Sequence, residues 1–525
     1  MGPALERLRL GKQVSRNDKR KEITPGPVGV LLERLIIAAL FLFVIAAPIS
    51  IAATQFAWAM GLLFWLLRFT IWPRPQLHRT PIDYAMFGFF ILTGLSSFLS
   101  YEPMVSIGKL RAAMLFTIVY LFAENLRSMR FLRLLVLLLV ASTLVTALFT
   151  FGQYLVGRGV KVYEVRADSP LKLARLDSRE KPLIPILSGD TIEEVNHQRL
   201  SSPEQLVAEL EGSSAEPLRV KIYRVEWNPV LELPRGRLLS GATPEERLGI
   251  QRWTRGRDWR ATGFFGQWTT YGEALQLLGS LVFGLLVALP QKRSKWGIGL
   301  AFVLAAAGGA LLLTVMRASW LSFLLSALVI ALTGLRWRSL LVIGACALPL
   351  ILVGLFVLHQ KRNVGFFDQK DDSIRWRQTV QSEGLHLLIS SPRHLLVGIG
   401  MDSIKARWRQ WGLFDQGRRP SGHMHSNYLQ IALERGVPAL LTWLALIAIY
   451  ARTLWRLRKR IPADKWIEKG TVLGALGGLV GFMISGIVHY NWGDSEVVMI
   501  LYCIMGLSLV LEREFDDQDS TKPVA

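Results

Sequence analysis

The stretch GVPALLTWLALIAIYARTLWRLRKR, residues 436–460, decides the fold class. Its first part, 436–454, is largely apolar, and an α-helix of that length crosses the roughly 30 Å of hydrocarbon in a bilayer. Its end is a cluster of arginine and lysine, residues that are retained on the cytoplasmic side of a membrane. The stretch therefore predicts a transmembrane helix that ends in the cytoplasm.

Similar apolar runs recur along the 525 residues of the chain, 51% of which are hydrophobic, with a mean hydropathy of +0.33. This composition is too apolar for soluble domains of the same total length. Helices are the structure that hydrocarbon permits here, because a helix pairs its own backbone groups. We predict an all-α polytopic membrane protein with about twelve transmembrane helices, at residues 34–52, 54–71, 83–99, 106–123, 132–155, 270–289, 297–315, 318–335, 339–358, 436–454, 470–488 and 495–511.

The positive charge of the chain follows the same topology. A net charge of +21 and an isoelectric point near 10.2 could indicate binding to nucleic acid. The basic residues lie in alternate loops between apolar runs, however, and the short loops near Pro48, Tyr101 and Trp492 are nearly free of them. This is the positive-inside pattern of a membrane protein, so no nucleic-acid partner is predicted.

The positive-inside pattern also orients the chain. The basic arm 1–33 and the tail 512–525 are predicted to be cytoplasmic, and the last part of the tail, FDDQDSTKPVA, is predicted to be disordered. No small-residue cleavage site follows the first apolar run, which predicts a retained helix and not a signal peptide. The transmembrane helices then fall in three blocks, 34–155, 257–358 and 436–511, and the two polar insertions, 156–256 and 359–435, lie on the outer face.

Several ionisable residues are predicted to lie at this outer face. His425 begins a helix in the stretch GHMHSNYLQIALERGVP, residues 422–438, and Arg260, Arg317, Lys109 and Arg111 lie at the outer ends of other helices. A histidine can accept a proton at neutral pH, and the planar guanidinium of arginine binds phosphate oxygens in pairs. Together they favour chemistry on a phosphate-bearing ligand. Each residue taken alone also has a structural interpretation, a hydrogen-bonded histidine or an arginine that reaches to lipid headgroups.

The sequence around His425, HMHSNYLQIALERGVPALL, resembles the signature of the O-antigen ligase and O-antigen polymerase superfamily. Three further pieces support the resemblance, in the order that the superfamily has them: RATGFFGQWTTYGEALQLL from residue 260, TVMRASWLSFLLSALVI from residue 314 and HLLVGIGMDSI from residue 394. Two departures, Met316 before the arginine and GQWTTYGE in place of a more usual NPN-like piece, put the subfamily in doubt.

The resemblance implies a membrane glycosyltransferase of the bacterial inner membrane. Such an enzyme transfers a glycan from undecaprenyl diphosphate, on the periplasmic side, to an acceptor hydroxyl, here a glycan or lipid A-core. By position, His425 would be the base that activates the acceptor, and Arg260 and Arg317 would hold the donor diphosphate. Lys109, Arg111 and Asp494 are further candidates for substrate binding; Asp494 could instead orient His425 or be an ordinary polar residue of its loop.

No metal or other cofactor is predicted for this reaction. Two arginines can stabilise the charge that develops on a diphosphate leaving group without magnesium. The predicted outer segments contain no Asp-x-Asp pair and no histidine and cysteine cluster with the spacing of metal ligands.

The first insertion carries a pattern of its own. The pieces GRGVKVYEVRADSPLKLARL and SGDTIEEVNHQRLSSPEQLVAELEGSSAEPLRVKIYRV, within about 157–225, resemble a PDZ domain, with a helix near 203–211 and a closing strand near 218–225. The resemblance implies a small α/β domain that either binds a partner protein by strand addition or only shapes the rim of the site. The following piece, 226–256, is predicted to be a linker.

Alternatives remain open at this point. Ligases, polymerases and protein O-oligosaccharyltransferases of the superfamily share these motifs. A lipid-linked sugar transporter or flippase would place its ionisable residues near the middle of the membrane, whereas here they lie at the outer ends of helices. A sensor or scaffold built on the PDZ-like segment would leave the histidine and the arginines without a role.

Overall fold

The computed structural model describes residues 26–177, 181–212, 216–224, 228–335, 372–417 and 422–520, together with residues 349, 352–354 and 356. Within these ranges, ten helices are long and apolar enough to cross a membrane. The prediction of a polytopic all-α membrane protein with a small inserted domain is confirmed. The ninth predicted helix, 339–358, lies almost entirely outside the described residues.

The first helices follow the predicted apolar runs. They are α1 Pro27–Ala46, α2 Ile51–Arg68, α3 Asp83–Phe98, α4 Pro103–Ala113, α5 Thr117–Asn125 and α6 Met129–Val156. A 3-10 turn, Met114–Phe116, joins α4 to α5, so that these two form one crossing. With 16 residues, α3 is shorter than a straight crossing of the hydrocarbon requires.

The first insertion folds as an antiparallel sheet with its own apolar core. Its strands are β1 Arg158–Tyr163, β2 Arg175–Leu176, β3 Thr191–Val195, β4 Gln198–Arg199, β5 Leu218–Tyr223, β6 Val230–Leu233 and β7 Arg252–Gly256. The order is β2-β6-β5-β3-β1-β7, and β4 pairs with β3. The predicted helix and closing strand are present as α7, Pro203–Glu211, and β5.

The prediction that 226–256 is a linker is wrong. This segment contributes β6, a short helix α8, Pro244–Leu248, and the edge strand β7. Leu231, Leu233, Leu248 and Ile250 are buried in the core of the insertion, so the segment supplies apolar surface that the sheet needs. The segment contains many arginines and glutamates, and the alternation of apolar and polar residues in VLEL is too short to be recognised among them in the sequence.

In the second half of the chain, the described residues form six long apolar helices and a group of shorter ones. The membrane helices are α9 Trp268–Ala288, α10 Lys295–Leu313, α11 Arg317–Gly334, α16 Val437–Arg460, α17 Trp466–Ser485 and α18 Ser495–Ser520; the second insertion contains α12 Asp372–Ile389, α13 Pro392–Leu396, α14 Ser403–Arg407 and α15 Asn427–Arg435. Since α18 continues to Ser520, the predicted disorder of the tail is wrong over 515–520.

Three helices form the centre of the bundle. The apolar windows of α9, α17 and α18 are 89%, 78% and 83% buried, against 22% for α2. Glycines allow α9 and α17 to approach closely: a Cβ atom on Gly284 would lie 2.4 Å from the backbone nitrogen of Gly474. Small residues at such crossings are typical of membrane helices that pack backbone against backbone. This rigid centre supports the candidate site, which lies at one end of α9 and α17.

Candidate functional site

The site is built around a tight turn that carries two histidines just before α15. His425 has φ +50, in the left-handed region, and its backbone N–H donates to Nδ1 of His423 at 3.2 Å. The two rings lie 4.3 Å apart, edge to face. Ser426 caps α15, since its hydroxyl accepts from the N–H of Leu429 at 3.4 Å. A non-glycine residue in the left-handed region is held there by its surroundings, and such residues cluster at functional sites.

Two neighbouring elements hold the turn from outside. The side chain of Gln381, on α12, donates to the carbonyl oxygens of His425 at 3.1 Å and of Ile487 at 3.2 Å. The backbone N–H of Asn427 donates to the carbonyl of Gly486 at 2.8 Å. The turn is thus fastened to both α12 and the end of α17.

A buried polar network lies beneath the turn. The amide of Asn427 donates to Oδ1 of Asn491 at 2.5 Å, and Asn491 donates in turn to the carboxylate of Glu273 on α9 at 3.2 Å. The hydroxyls of Ser319 and Ser485 donate to the other oxygen of Glu273. A buried carboxylate with three donors is a well-satisfied anchor, and it connects the histidine turn to the centre of the bundle.

Burial sets the protonation of the histidines. Burial, followed by the charges of His423 and Arg377, lowers the pKa of His425 to about 3. Burial and the charge of Lys405 lower the pKa of His423 to about 4. Both imidazoles are therefore neutral at pH 7. Nε2 of His425 is covered by protein and has no hydrogen-bond partner among the described residues, an arrangement that costs about 1–3 kcal/mol until a partner binds.

The two arginines that the sequence proposed for a diphosphate meet at one turn. Arg317 is the first residue of α11, and Nη2 of Arg260 donates to the carbonyl of Val315 in the turn before it, at 3.3 Å. The guanidinium of Arg260 also lies 5.2 Å from the ring of Trp268. Val315 has φ +52, which is unusual for a β-branched residue and indicates a constrained turn.

A third arginine, which the sequence reading missed, belongs to the same region. Arg377 lies on α12, one turn before Gln381. Burial, and then the charges of Arg377 and Arg260 among others, lower the pKa of His489 well below its usual value, so both arginines lie within electrostatic reach of this histidine. In the sequence, Arg377 lies in the basic run RWRQ of the second insertion. The distance of this run from His425 along the chain gives no sign that the two residues are close in space.

Next to His423 is a cavity of about 380 Å³. Lys109, on α4, lines it and pairs with Oδ2 of Asp402 at 2.8 Å, while Lys405 pairs with Oδ1 at 3.1 Å. Burial alone would raise the pKa of Asp402, but these two lysines lower it overall. Arg111 is exposed on the same helix and does not line the cavity.

A buried ion pair closes one wall of this cavity. Glu434 accepts from the N–H of Asp402 at 3.0 Å and from the amide of Gln430 at 2.9 Å. Its neighbour Arg435 is only 7% exposed, and Nη1 lies 3.6 Å from Glu434. Nε and Nη1 of Arg435 have no hydrogen-bond partner within the described part of the chain. Two donors of an arginine that lines the cavity are therefore unpaired, although neighbouring atoms cover them.

Asp494 lines the same cavity but does not orient His425 by hydrogen bonding. Its carboxyl group accepts from the hydroxyl of Thr270 at 2.5 Å. Burial, and then a hydrogen bond with Glu496, raise the pKa of Asp494 to about 8. The group is therefore mostly protonated at pH 7 and can donate a hydrogen bond as well as accept one.

Comparison with known families identifies part of the chain. The sequence model of the O-antigen ligase family matches residues 300–444. This part of the chain is similar to the O-antigen ligase family. The matched segment includes the turn before α11 with Arg317, α12 with Arg377 and Gln381, and the histidine turn. No curated protein matches the chain. The match supports the O-antigen ligase and polymerase superfamily, and with it a membrane enzyme of the glycosyltransferase type.

Other features of the domain bear on its ligands. The family implies a lipid-linked glycan, an acceptor and membrane lipids as the molecules that the enzyme meets. Among the described residues, no group of three or more histidine, cysteine, aspartate or glutamate side chains is arranged to hold a metal ion.

Proposed function

We propose that the protein is an O-antigen ligase-like glycosyltransferase of the bacterial inner membrane, with both termini in the cytoplasm and the site in the periplasm. It transfers a glycan from undecaprenyl diphosphate to a hydroxyl of lipid A-core. The observation that carries the proposal is the neutral, constrained His425, whose Nε2 lacks a partner and whose surroundings are cationic. Transfer between two glycan-bearing donors, as in a polymerase, or to a protein would use the same site.

In the proposed reaction, the acceptor hydroxyl takes the place of the protein atoms that cover Nε2 of His425, and Nε2 accepts its proton. The hydroxyl oxygen attacks the anomeric carbon of the donor sugar, and the bond from that carbon to the diphosphate oxygen breaks. Undecaprenyl diphosphate leaves with the electron pair. Arg260 and Arg317 stabilise the charge on its phosphate oxygens, as paired guanidinium contacts do for developing anions. General-base assistance of this kind is typically worth about 10²–10⁴ in rate.

Donor binding would also activate the base. A pKa of about 3 keeps His425 deprotonated but makes it a weak base. Part of the lowering comes from the positive charge of Arg377. A bound diphosphate would neutralise that charge and raise the proton affinity of the imidazole. The enzyme would therefore become a competent base only once the donor is in place, which limits unproductive reactions.

We assign the acceptor sugar to the cavity next to His423. The unused donors of Arg435, the protonated Asp494 and the lysines Lys109 and Lys405 offer both donors and acceptors to sugar hydroxyls. Phe89 and Phe116 form part of the apolar wall. The two substrates would then reach the histidine pair from opposite sides. Arg111, which lies outside the cavity lining, would contribute only charge near its entrance.

The position of the ionisable groups favours an enzyme over a transporter. The histidine turn, the arginine turn and the lysines lie at helix ends or in the insertions, and not along a path through the bundle. Transporters place their coupling residues near the midplane of the membrane.

The proposal is tested by reconstitution. Purified protein in lipid nanodiscs is incubated with a glycan on undecaprenyl diphosphate and, separately, with lipid A-core, a second molecule of donor, or a periplasmic peptide. Transfer to lipid A-core is expected, with the product separated by mass. Transfer to one of the other acceptors would replace the ligase by a polymerase or a protein glycosyltransferase. Binding of the donor without transfer to any acceptor would contradict the enzyme and favour a lipid-linked sugar transporter.

A further inference from the structure

A second cavity, of about 480 Å³, lies between the inserted sheet and the membrane helices. Its floor is formed by Phe149 and Gln153 on the last turns of α6, and by Gly263 and Phe264 just before α9. Its roof is formed by side chains of the sheet. Both α6 and α9 are long and apolar enough to cross the membrane. The cavity therefore lies at the level where lipid headgroups meet these two helices.

The roof of the cavity is rich in positive charge. Four basic side chains line it, against two carboxylates: Arg158, Arg199, Lys221 and Arg255, and Glu193 and Glu194. Lys221 pairs with Glu194 at 3.4 Å, and Arg158 donates to Gln153 at 2.5 Å.

The two remaining arginines of the roof differ from Lys221 and Arg158 in their contacts. The side chains of Arg199 and Arg255 make no hydrogen bond or ion pair with the described residues. Burial raises the pKa of Glu193, and the charges of Lys221, Arg158 and Arg199 oppose this effect. Two guanidinium groups are thus available for an anion.

A short connection between α6 and β1 keeps the cations of the sheet close to the end of this membrane helix. Gly157, with φ +76, ends α6, and a Cβ atom there would lie 2.6 Å from Cβ of Arg255. Gly159, with φ +62, would place its Cβ atom 2.3 Å from the carbonyl oxygen of Ile192. Only glycine fits such positions. The two glycines allow α6 to continue directly into β1 without a linker. Since α6 ends at Val156 and β1 begins at Arg158, a single residue separates the sheet from the helix end.

The edge of the cavity is apolar, as expected of a surface that contacts the acyl chains of a lipid. The rings of Phe149 and Phe264 stack at 3.8 Å. Leu155 and Val156, on the last turn of α6, are 77% and 70% exposed. Exposed apolar side chains at the end of a membrane helix contact acyl chains, and cations just above them contact headgroup phosphates.

We propose that this cavity binds the phosphate of a membrane lipid headgroup, with Arg199 and Arg255 as the residues that contact it. The site is separate from the histidine turn, since none of its lining residues lines the cavity next to His423. It would fasten the inserted domain to the membrane surface. The same phosphate chemistry is available from an anionic glycerophospholipid and from lipid A, and the experiment separates these sources.

The test uses the full-length protein and measures lipid binding by native mass spectrometry. The protein is exchanged into phosphatidylcholine alone, or with added phosphatidylglycerol or lipid A. We expect retention of one of the two lipids of net negative charge over zwitterionic phosphatidylcholine, whose choline competes for the phosphate. We expect the double variant Arg199→Gln/Arg255→Gln to retain that lipid at least about tenfold less, because two charge-assisted contacts are lost. The lipid that is retained identifies the source.

Arg237→Gln is the matched control, because Arg237 is an exposed arginine of the same insertion that lies outside the cavity. The control should bind lipid as the parent does. Equal retention by the double variant and the control would overturn the proposal, as would equal retention of all three lipids by the parent. If the double variant unfolds, the exposed Arg199→Gln alone gives the same comparison with a smaller loss.

Discussion

His425 is neutral at physiological pH because it is half-buried close to His423 and to the positive charge of Arg377, and this has a measurable consequence. A histidine of ordinary pKa, near 6.5, would lose base activity as the pH falls through that value. With the pKa lowered to about 3, the fraction of neutral imidazole is constant down to about pH 4. We therefore expect kcat/KM for transfer to show no acidic limb near pH 6.5.

The measurement is the pH dependence of kcat/KM between pH 5 and 8, in nanodiscs of fixed composition. A limb with an apparent pKa near 6.5 would mean that His425 is exposed in the free enzyme, or that another group is the base. Because kcat/KM reports the free enzyme, a limb that is present only in kcat would instead report the complex with donor, in which the charge of Arg377 is neutralised.

Arg317 is predicted to act through geometry as well as charge. Arg317→Lys keeps the charge but replaces a planar fork by a point charge, which cannot contact two phosphate oxygens in parallel. We expect a loss of about tenfold or more in kcat/KM for the donor, without a change in the KM for the acceptor. Initial rates at varied donor and acceptor concentrations measure both constants. Arg293→Lys, at an exposed position between α9 and α10, is the control. Parental activity of Arg317→Lys would exclude a contact of Arg317 with two phosphate oxygens.

At the level of elements, the polar network beneath the histidine turn joins α15 to α9 and to the loop before α18. Asn427 donates to Asn491 and accepts from the N–H of Trp492 at 3.0 Å. Asn427→Ala removes both contacts, and we expect a loss of about 1–3 kcal/mol of stability because buried partners are left unsatisfied. We also expect a lower kcat with an unchanged donor KM, since the turn is loosened while the arginines stay in place.

Thermal unfolding and steady-state kinetics measure these two effects. Asn125→Ala serves as the control, because the amide of Asn125, at the end of α5, donates to the carbonyl of Leu121 and to no other group in the described part of the chain. If Asn427→Ala lowers the melting temperature but leaves kcat as it was, the network is structural and does not position the histidine.

The elements also show which parts of the fold could be predicted from the sequence. Long apolar runs were sufficient to predict the membrane helices, because backbone N–H and C=O groups in hydrocarbon must pair with each other and a helix pairs them within one segment. The sheet was predicted only as far as β5. The strands β6 and β7 are short and rich in charge, and they become strands only because β5 and β1 offer them free edges. Such tertiary contacts leave little signal in a local pattern.

The candidate site was predicted in part for a similar reason. His425, Arg260 and Arg317 were selected from recognisable motifs at helix ends, and Lys109 from its place at the outer end of a helix; their roles stay predictions. Arg377, Gln381 and Glu273 were missed, because each acts through contacts with residues distant in the sequence. Arg435 lies inside the signature itself, but its unused donors become visible only when the cavity around it is known.

For the whole molecule, the inserted sheet, the second insertion and the histidine turn are predicted to face the periplasm together. The positive-inside pattern predicts that the loop between α9 and α10 lies in the cytoplasm. Single cysteines test this, on a background in which Cys346 and Cys503 are replaced by alanine. We expect Glu204→Cys, exposed on α7, to react with a membrane-impermeant maleimide added from the periplasmic side of intact spheroplasts.

Gln291→Cys, exposed in the loop between α9 and α10, is the matched position on the other face. It should react only after the membrane is permeabilised. The opposite pattern would invert the molecule and would place His425 in the cytoplasm, away from a periplasmic acceptor.

The most direct test of the account is a comparison of His425→Ala with the parent in single-turnover transfer, with donor binding measured on the same samples. The account predicts that His425→Ala binds the undecaprenyl diphosphate glycan as the parent does but transfers it about 10²–10⁴ times more slowly. His386→Ala, an exposed histidine on α12, should behave as the parent. Transfer at the parental rate by His425→Ala would contradict the account and remove His425 as the base.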